Sequence, residues 1–344
     1  MDKFIIRVPA SSANIGPGFD VLGIGLDLFL TLEVAVDSSL STTDSANCLL
    51  SYEGDGSENV PLESGKNLIT KTALFVLRCN GVAEFPKVTQ VHVINPIPLG
   101  RGLGSSGAAV VAGVLLANAV GKLGFSKQRC LDYCLMIERH PDNITAAMMG
   151  GFVGSYLREL TPRETALVHQ PLSDMLAPHG TTDKAPLNIG THVKYNWNPA
   201  IKCIAIIPQF EVATSDSRRV LPAEYSKQDV IFNLQRLAVL TTAVGAAQPD
   251  PQLIYNSMQD KLHQPYRKSL IPGLTEILSG FTPQTHEGLL GICLSGAGPT
   301  ILCLATENFD QIAEAIIERF KQEKVECVWK LLQPAQNGAT VEHL

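Results

Sequence analysis

The chain reads as an α+β protein of two domains, and three observations carry that reading. Its 344 residues exceed what one small hydrophobic core organises. Of these, 45% are hydrophobic and 17% charged, which suffices for a sizeable interior and leaves too little charge for a largely disordered chain. Strand-like and helix-like runs follow one another without strict βα alternation, which argues against a doubly wound parallel sheet.

Taken in order, residues 4–8 form a short β-branched run and residues 26–36 alternate as a strand does. Between them PASSANIGPGFD, residues 9–20, is rich in Gly, Pro, Ser and Asn and predicts a loop too poor in apolar residues to be core. Residues 38–64 are polar and irregular, as an exposed hairpin or loop would be. Residues 67–80 have helical periodicity, and 87–95 form a strand leading into RGLGSSGAAV at 101–110. From 105 to about 120 the spacing is helical and apolar nearly all round, which predicts a buried helix with Ser105 or Ser106 as N-cap and a stop at Gly121. A further helix over about 127–139 starts after Ser126 and halts at Pro141.

After the strand-like FVGSYL, a polar stretch at 161–199 marks the boundary between domains, set at 1–165 and 166–344. The second half opens with a strand at 202–207 and a long helical region at about 229–247. It closes with strand 289–294, the turn SGAGP, strand 300–305, helix 310–322 and strand 325–332.

Charge and cysteine usage narrow the function classes. A net charge of −6, a pI near 5.8 and no basic cluster beyond pairs such as Arg218–Arg219 give no electrostatic footprint for nucleic acid. The eight cysteines are scattered, without a CxxC pair or a His cluster at metal-ligand spacing, so they read as reduced, buried thiols. The N-terminus runs straight into a strand, and GAAVVAGVLLANAVG is broken by glycines and short for a membrane span. The expectation is a cytoplasmic, soluble protein without a membrane partner.

RGLGSSGAAV resembles a phosphate loop, yet it lacks the lysine of GxxxxGK[ST] and does not fit GxGxxG. A glycine-rich turn entering a helix exposes backbone N–H groups that attract an anion, and here the counter-charge has to come from Arg101 or a metal ion. A plain βα turn accounts for this stretch alone equally well. In ERHPDN, Glu138 and Asp142 put two carboxylates beside Asn143 at a helix stop, where they can face a metal or a hydroxyl. SGAGPT, residues 295–300, forces a glycine path between two apolar strands, which suits close approach to a ligand or another loop.

PASSANIGPGFDVLG, PIPLGRGLGSSGAAVVAG, ERHPDN and SGAGPT occur in the order and approximate spacing of the GHMP small-molecule kinases, which the chain therefore resembles over most of residues 4–305. The wording of the first two motifs is similar to that of the homoserine kinase branch of that family. Residues 38–64 and 161–199 match nothing in it. The resemblance implies an N-terminal ATP-binding domain like the second domain of ribosomal protein S5 and a ferredoxin-like C-terminal domain, with the site between them. It implies ATP- and Mg²⁺-dependent phosphorylation of the side-chain hydroxyl of L-homoserine in threonine biosynthesis, and a homodimer.

The site residues follow from the same resemblance. Pro98, Gly100, Arg101, Gly102, Leu103, Gly104, Ser105 and Ser106 match the loop that wraps the ATP phosphates. Ser106 and Glu138 match the pair that holds Mg²⁺, and Asn67 a position that contacts adenine. For the amino acid, Arg218 and Arg267 match carboxylate-binding arginines, with Arg219 competing for the first role. Asn14, Asp20 and His140 match further substrate contacts. Asp142 and Asn143 belong to the catalytic end, where a dedicated base is an open matter because a loose, metaphosphate-like transition state demands little early proton transfer. Gly296, Ala297 and Gly298 buttress the phosphate loop. A mevalonate- or galactose-type kinase and a catalytically silent ligand sensor are the alternatives. The two arginines with Asp20 speak against the former, since a sugar has no carboxylate and mevalonate no ammonium; the retained Ser106–Glu138 pair speaks against the latter.

Overall fold

The computed structural model describes residues 2–37, 39 and 41–344. The first sheet contains β1 (Asp2–Ala13), β2 (Leu22–Asp37), β3 (Cys48–Gly54), β4 (Val88–Asn95), β5 (Phe152–Leu157), β6 (Gly190–Tyr195) and, from the far end of the chain, β11 (Thr340–His343). Its main path runs β11-β1-β2-β4-β3, with β5 and β6 continuing from the other end of β2. The second sheet is built from β7 (Lys202–Pro208), β8 (Leu289–Leu294), β9 (Ile301–Ala305) and β10 (Cys327–Leu332) in the order β10-β7-β9-β8, all antiparallel. That is the strand order of a ferredoxin-like sheet.

Four helices of the first half position the site: α1 (Leu68–Cys79), α2 (Ser105–Val120), α3 (Lys127–Glu138) and α4 (Pro141–Met149). Helix α2 is buried on nearly every side, packed on α1, α3, α4 and β1, which is why its sequence is apolar all round. Its N-cap is Gly104, in the left-handed region at φ 69°, with no side-chain cap; neither Ser105 nor Ser106 takes that place. The sequence ERHPDN is more than a helix stop. Arg139 adopts a left-handed φ of 65° and His140 is the N-cap of α4, so a two-residue turn separates Glu138, the last residue of α3, from Asp142 in the first turn of α4. A Cβ on Gly23 of β2 would strike the Asp142 carbonyl, so that glycine is what lets α4 lie against the sheet.

Two further expectations change, and sheet membership adds detail to a third. Residues 9–13 extend β1, pairing with β2 after a register shift at Pro9/Ala10, and all of 9–18 is buried. The stretch is poor in apolar residues yet interior because its serines and backbone find partners there, as in the bond from the Ser11 N–H to the Leu103 carbonyl (3.1 Å). Within 38–64, where positions 38 and 40 lie outside the described residues, β3 runs parallel to β4 and α1 makes the crossover between them. The division at 165/166 does not coincide with a change of sheet: β6 pairs with β5, and β11 returns to β1, so sheet membership switches after Tyr195 and reverts at the C-terminus.

Both faces of β7 are covered, which explains the unbroken apolar run CIAIIP. Cys203, Ala205 and Ile207 join the core that continues into the first domain, while Ile204 and Ile206 face the helix Phe309–Gln322 and its neighbours. Leu302→Ala on the first face and Ile206→Ala on the second should therefore each lower stability by about 2–5 kcal/mol in denaturant unfolding. A loss below about 1 kcal/mol at either position would mean that its face is not packed.

Candidate active site

The two sheets and the helices flanking them enclose a cavity of about 490 Å³. Its walls include Asn14, Asp20, Asn67, Pro98, Gly100, Arg101, Gly102, Gly104, Ser105, Ser106, Glu138, His140, Asp142, Asn143, Arg218, Arg267, Gly296, Ala297 and Gly298. Every candidate from the sequence except Leu103 is therefore brought together; Leu103 points into the core and is fully buried.

Consecutive carbonyls of the glycine-rich loop are tied back into the protein. Gly100 O accepts from Val212 N (3.0 Å), Arg101 O from Thr300 N (3.3 Å) and Leu103 O from Ser11 N (3.1 Å). Gly102 O accepts from the Ser295 hydroxyl (2.6 Å), which in turn accepts from Ser12 (2.7 Å). Among the described residues none of the backbone N–H groups of 100–107 has a hydrogen-bond partner. With an uncapped helix start behind them, these N–H groups form a ready anion site. A Cβ on Gly102, at φ 81°, would collide with the Ser295 carbonyl, so the bracing also requires glycine there.

The two serines divide the work. The Ser105 hydroxyl accepts from Asn95 (3.2 Å) and donates to Ile97 O (3.4 Å), leaving only its N–H for a ligand, whereas Ser106 is exposed to the cavity. Glu138 has no hydrogen bond or ion pair among the described residues, and burial pushes its pKa up. Such a carboxylate lacks a cation. No group of three or more His, Cys, Asp or Glu converges among the described residues, so a metal here would have few protein donors. Mg²⁺, which keeps waters and takes phosphate oxygens alongside one or two protein groups, fits a Ser106–Glu138 pair.

At the opposite end, Arg218 and Asp20 form a bidentate pair (2.7 and 3.2 Å), while Arg219 is 77% exposed and paired with Asp216, outside the cavity. Of the two neighbouring arginines, Arg218 is thus the one that faces the cavity. Arg267 is buried and lies beside Arg218; burial first, and then that second cation, bring its pKa down to about 10. The guanidinium carbons of both arginines lie 5.6 Å from the Phe19 ring centroid.

Two asparagines of the cavity wall also tie the protein together. Asn67 caps α1 through Ile69 N (3.0 Å) and donates to Pro61 O (3.0 Å), which leaves one amide proton and one oxygen lone pair on a residue of the cavity wall. Asn14 likewise donates to Gly296 O (3.1 Å) and accepts from Asp20 N (3.1 Å), joining the first loop to the SGAGP turn. Asn143 accepts from Ser11 (2.9 Å). The sequence reading missed Tyr52, Val60, Pro61 and Lys66, which line the nucleotide-loop end of the cavity; they sit in or beside the polar stretch that matched no motif.

Asp142 is the most perturbed acid of the site. Burial, aided by Asp20 and Glu138, pushes its carboxyl up to about 7 although it accepts from Asn143 N (2.8 Å). An exposed aspartate titrates near 3.8, so its ionisation opposes folding: the penalty is absent below about pH 4, grows to pH 7 and is complete above. Asp142→Asn should therefore raise Tm by about 2–4 °C at pH 8 and leave it nearly unchanged at pH 4. Equal shifts at both pH values in thermal scans would contradict the assignment.

The family description "GHMP kinases N terminal domain" matches residues 67–151 and "GHMP kinases C terminal" matches 243–322. The chain is 66% identical to the homoserine kinase of Saccharomyces cerevisiae, covering 98% of each, and 55% identical to that of Schizosaccharomyces pombe over the full length of both. Its fold is similar to the crystal structure of homoserine kinase from Cytophaga hutchinsonii, with a TM-score of 0.76 at 25% identity, covering 99% of this chain and 98% of that one. A mevalonate kinase at 11% identity and a TM-score of 0.62, covering 96% and 99% of the two chains, shares the fold. Together with the braced glycine loop and the paired arginines, these likenesses establish that the chain belongs to the GHMP kinases and, among them, to the homoserine kinases.

Proposed function

We propose that the protein transfers the γ-phosphoryl group of ATP to the side-chain hydroxyl of L-homoserine, giving O-phospho-L-homoserine for threonine biosynthesis. The observation that carries this reading is the two-ended cavity: free backbone N–H groups of 100–107 at one end, Arg218 and Arg267 at the other. The N–H end takes the ATP phosphates, with Ser106 and Glu138 holding Mg²⁺, which when bound neutralises charge on the transferring phosphoryl group. The arginine end takes the amino-acid carboxylate. Asp20 serves the ammonium, giving up part of its pairing with Arg218 as the carboxylate arrives, and His140 adds a further contact. Gly296, Ala297 and Gly298 support the loop from the second domain. The domain division of 1–165 and 166–344 remains our working description of the two functional halves. We place the enzyme in the cytoplasm as a homodimer; among the described residues no helix is long and apolar enough to cross a membrane.

Asp142 is the group we assign to accept the hydroxyl proton, since it lines the cavity beside Asn143 and burial pushes its carboxyl up. Its replacement by Asn should lower kcat by about 10²–10⁴. A loss below about tenfold would mean that the proton leaves with the phosphoryl oxygens instead.

ADP release should be measured with ATP and Mg²⁺ against L-homoserine, L-serine, mevalonate and galactose. Turnover confined to homoserine, with kcat cut at least about a hundredfold by Glu138→Gln, is the expected result. Turnover on mevalonate or galactose would overturn the amino-acid clamp, and silence on all four with ATP still binding would favour a sensor.

A further inference from the structure

Behind Arg267 lies a fully buried histidine that the proposed chemistry does not use. His263 Nδ1 is 2.9 Å from Arg267 Nη1, and its Nε2 is 2.8 Å from the Gly16 carbonyl. A guanidinium only donates, so Nδ1 must be the acceptor; a carbonyl only accepts, so Nε2 must carry the proton. Two independent bonds fix the same neutral tautomer. Asp260, 3.5 Å from Nε2, faces the same nitrogen, and the Phe19 ring stacks on the imidazole at 5.3 Å. Burial, with Arg267 beside it, holds the pKa of His263 below the usual imidazole value.

The donors of Arg267 can be followed one by one. Nη1 gives one proton to His263 and one to Gly296 O (2.8 Å), and Nε gives its own to Ser217 O (3.4 Å). A guanidinium has five N–H donors, so both protons on Nη2 stay free, and Arg267 lines the cavity. His263 itself stands on a rigid base. Asp260 accepts from the backbone N–H groups of Leu262, His263 and Gln264 (2.9, 3.0 and 2.7 Å) and from Asn233 (2.7 Å). Asn233 also donates to Pro17 O (3.2 Å), beside the Gly16 carbonyl that His263 holds.

We propose that His263 is a positioning residue for substrate recognition: as the Nε2–H tautomer it joins the first loop to Arg267 and turns the guanidinium so that Nη2 alone meets the substrate carboxylate. The inference rests on the reading of Arg267 as a carboxylate ligand. Without an acceptor at Nδ1, an Nη1 proton loses its partner and the guanidinium loses one of the three bonds that orient it, while the glycine-rich loop keeps its own separate ties.

Steady-state kinetics on His263→Leu, His263→Asn, His263→Gln and Arg267→Leu test it. Asn places an oxygen acceptor where Nδ1 was; Gln places no acceptor there. The expected result is a homoserine KM raised about tenfold or more in the Leu and Gln variants, with ATP KM and kcat within about threefold of wild type, and a return to within about threefold in Asn. Equal homoserine KM values in Asn and Gln, or homoserine and ATP KM values rising together, would overturn the positioning role. Should His263→Leu fail to fold, the Asn–Gln comparison decides alone. If Arg267→Leu leaves homoserine KM unchanged, the carboxylate assignment itself is wrong; if it raises KM while all His263 variants stay normal, only the positioning role is.

Discussion

The site depends on the direction in which four successive peptide carbonyls point. Each of the Gly100–Leu103 carbonyls is held by a donor from outside the loop, and the donors come from the first strand, from Val212 and from the turn that follows β8. With each bond contributing about 0.5–1.5 kcal/mol net, the set outweighs thermal reorientation of the loop. The N–H groups are left facing solvent and ligand by subtraction. On the proposed reading the missing P-loop lysine becomes intelligible: peptide dipoles and an uncapped helix start would meet the anion, and a cation held by Ser106 and Glu138 would supply the counter-charge.

The same bonds make the phosphate loop a property of both domains. Thr300 and Ser295 reach it from the turn between β8 and β9, while Asn14 and Arg267 both donate to the Gly296 carbonyl in that turn. The glycine-loop end and the arginine end of the cavity therefore share one turn. Polar groups inside such a junction carry a penalty unless they are met, and the buried Ser11, Ser12 and Asn14 of PASSAN find their partners in Asn143, Ser295, Gly296 and Asp20.

Much of this was legible in the sequence, and the limits have physical causes. Helix α3 and the strands of the second sheet stand out because periodicity and β-branched runs report burial directly. The interior position of residues 9–13 did not, because serines buried by hydrogen bonding look like loop residues in a one-dimensional reading. Nor could spacing show that Gly104, not a serine, caps α2, since only the left-handed backbone at that glycine decides it. The motifs lead to cavity-lining residues apart from Leu103, and they do not reveal that Asn14 and Asn67 also bond to the protein itself. His263 escaped notice because a lone histidine beside a short helix start carries no signal until its partners are known.

The central claim is that the N–H groups of 100–107 are the phosphate ligands. Amide hydrogen exchange of this segment, measured with and without a non-hydrolysable ATP analogue and Mg²⁺, tests it most directly. Rapid exchange in the free protein and slowing by at least about tenfold across these residues on nucleotide binding is the predicted result. Unchanged exchange at 100–107 under saturating nucleotide, with protection appearing elsewhere, would contradict it.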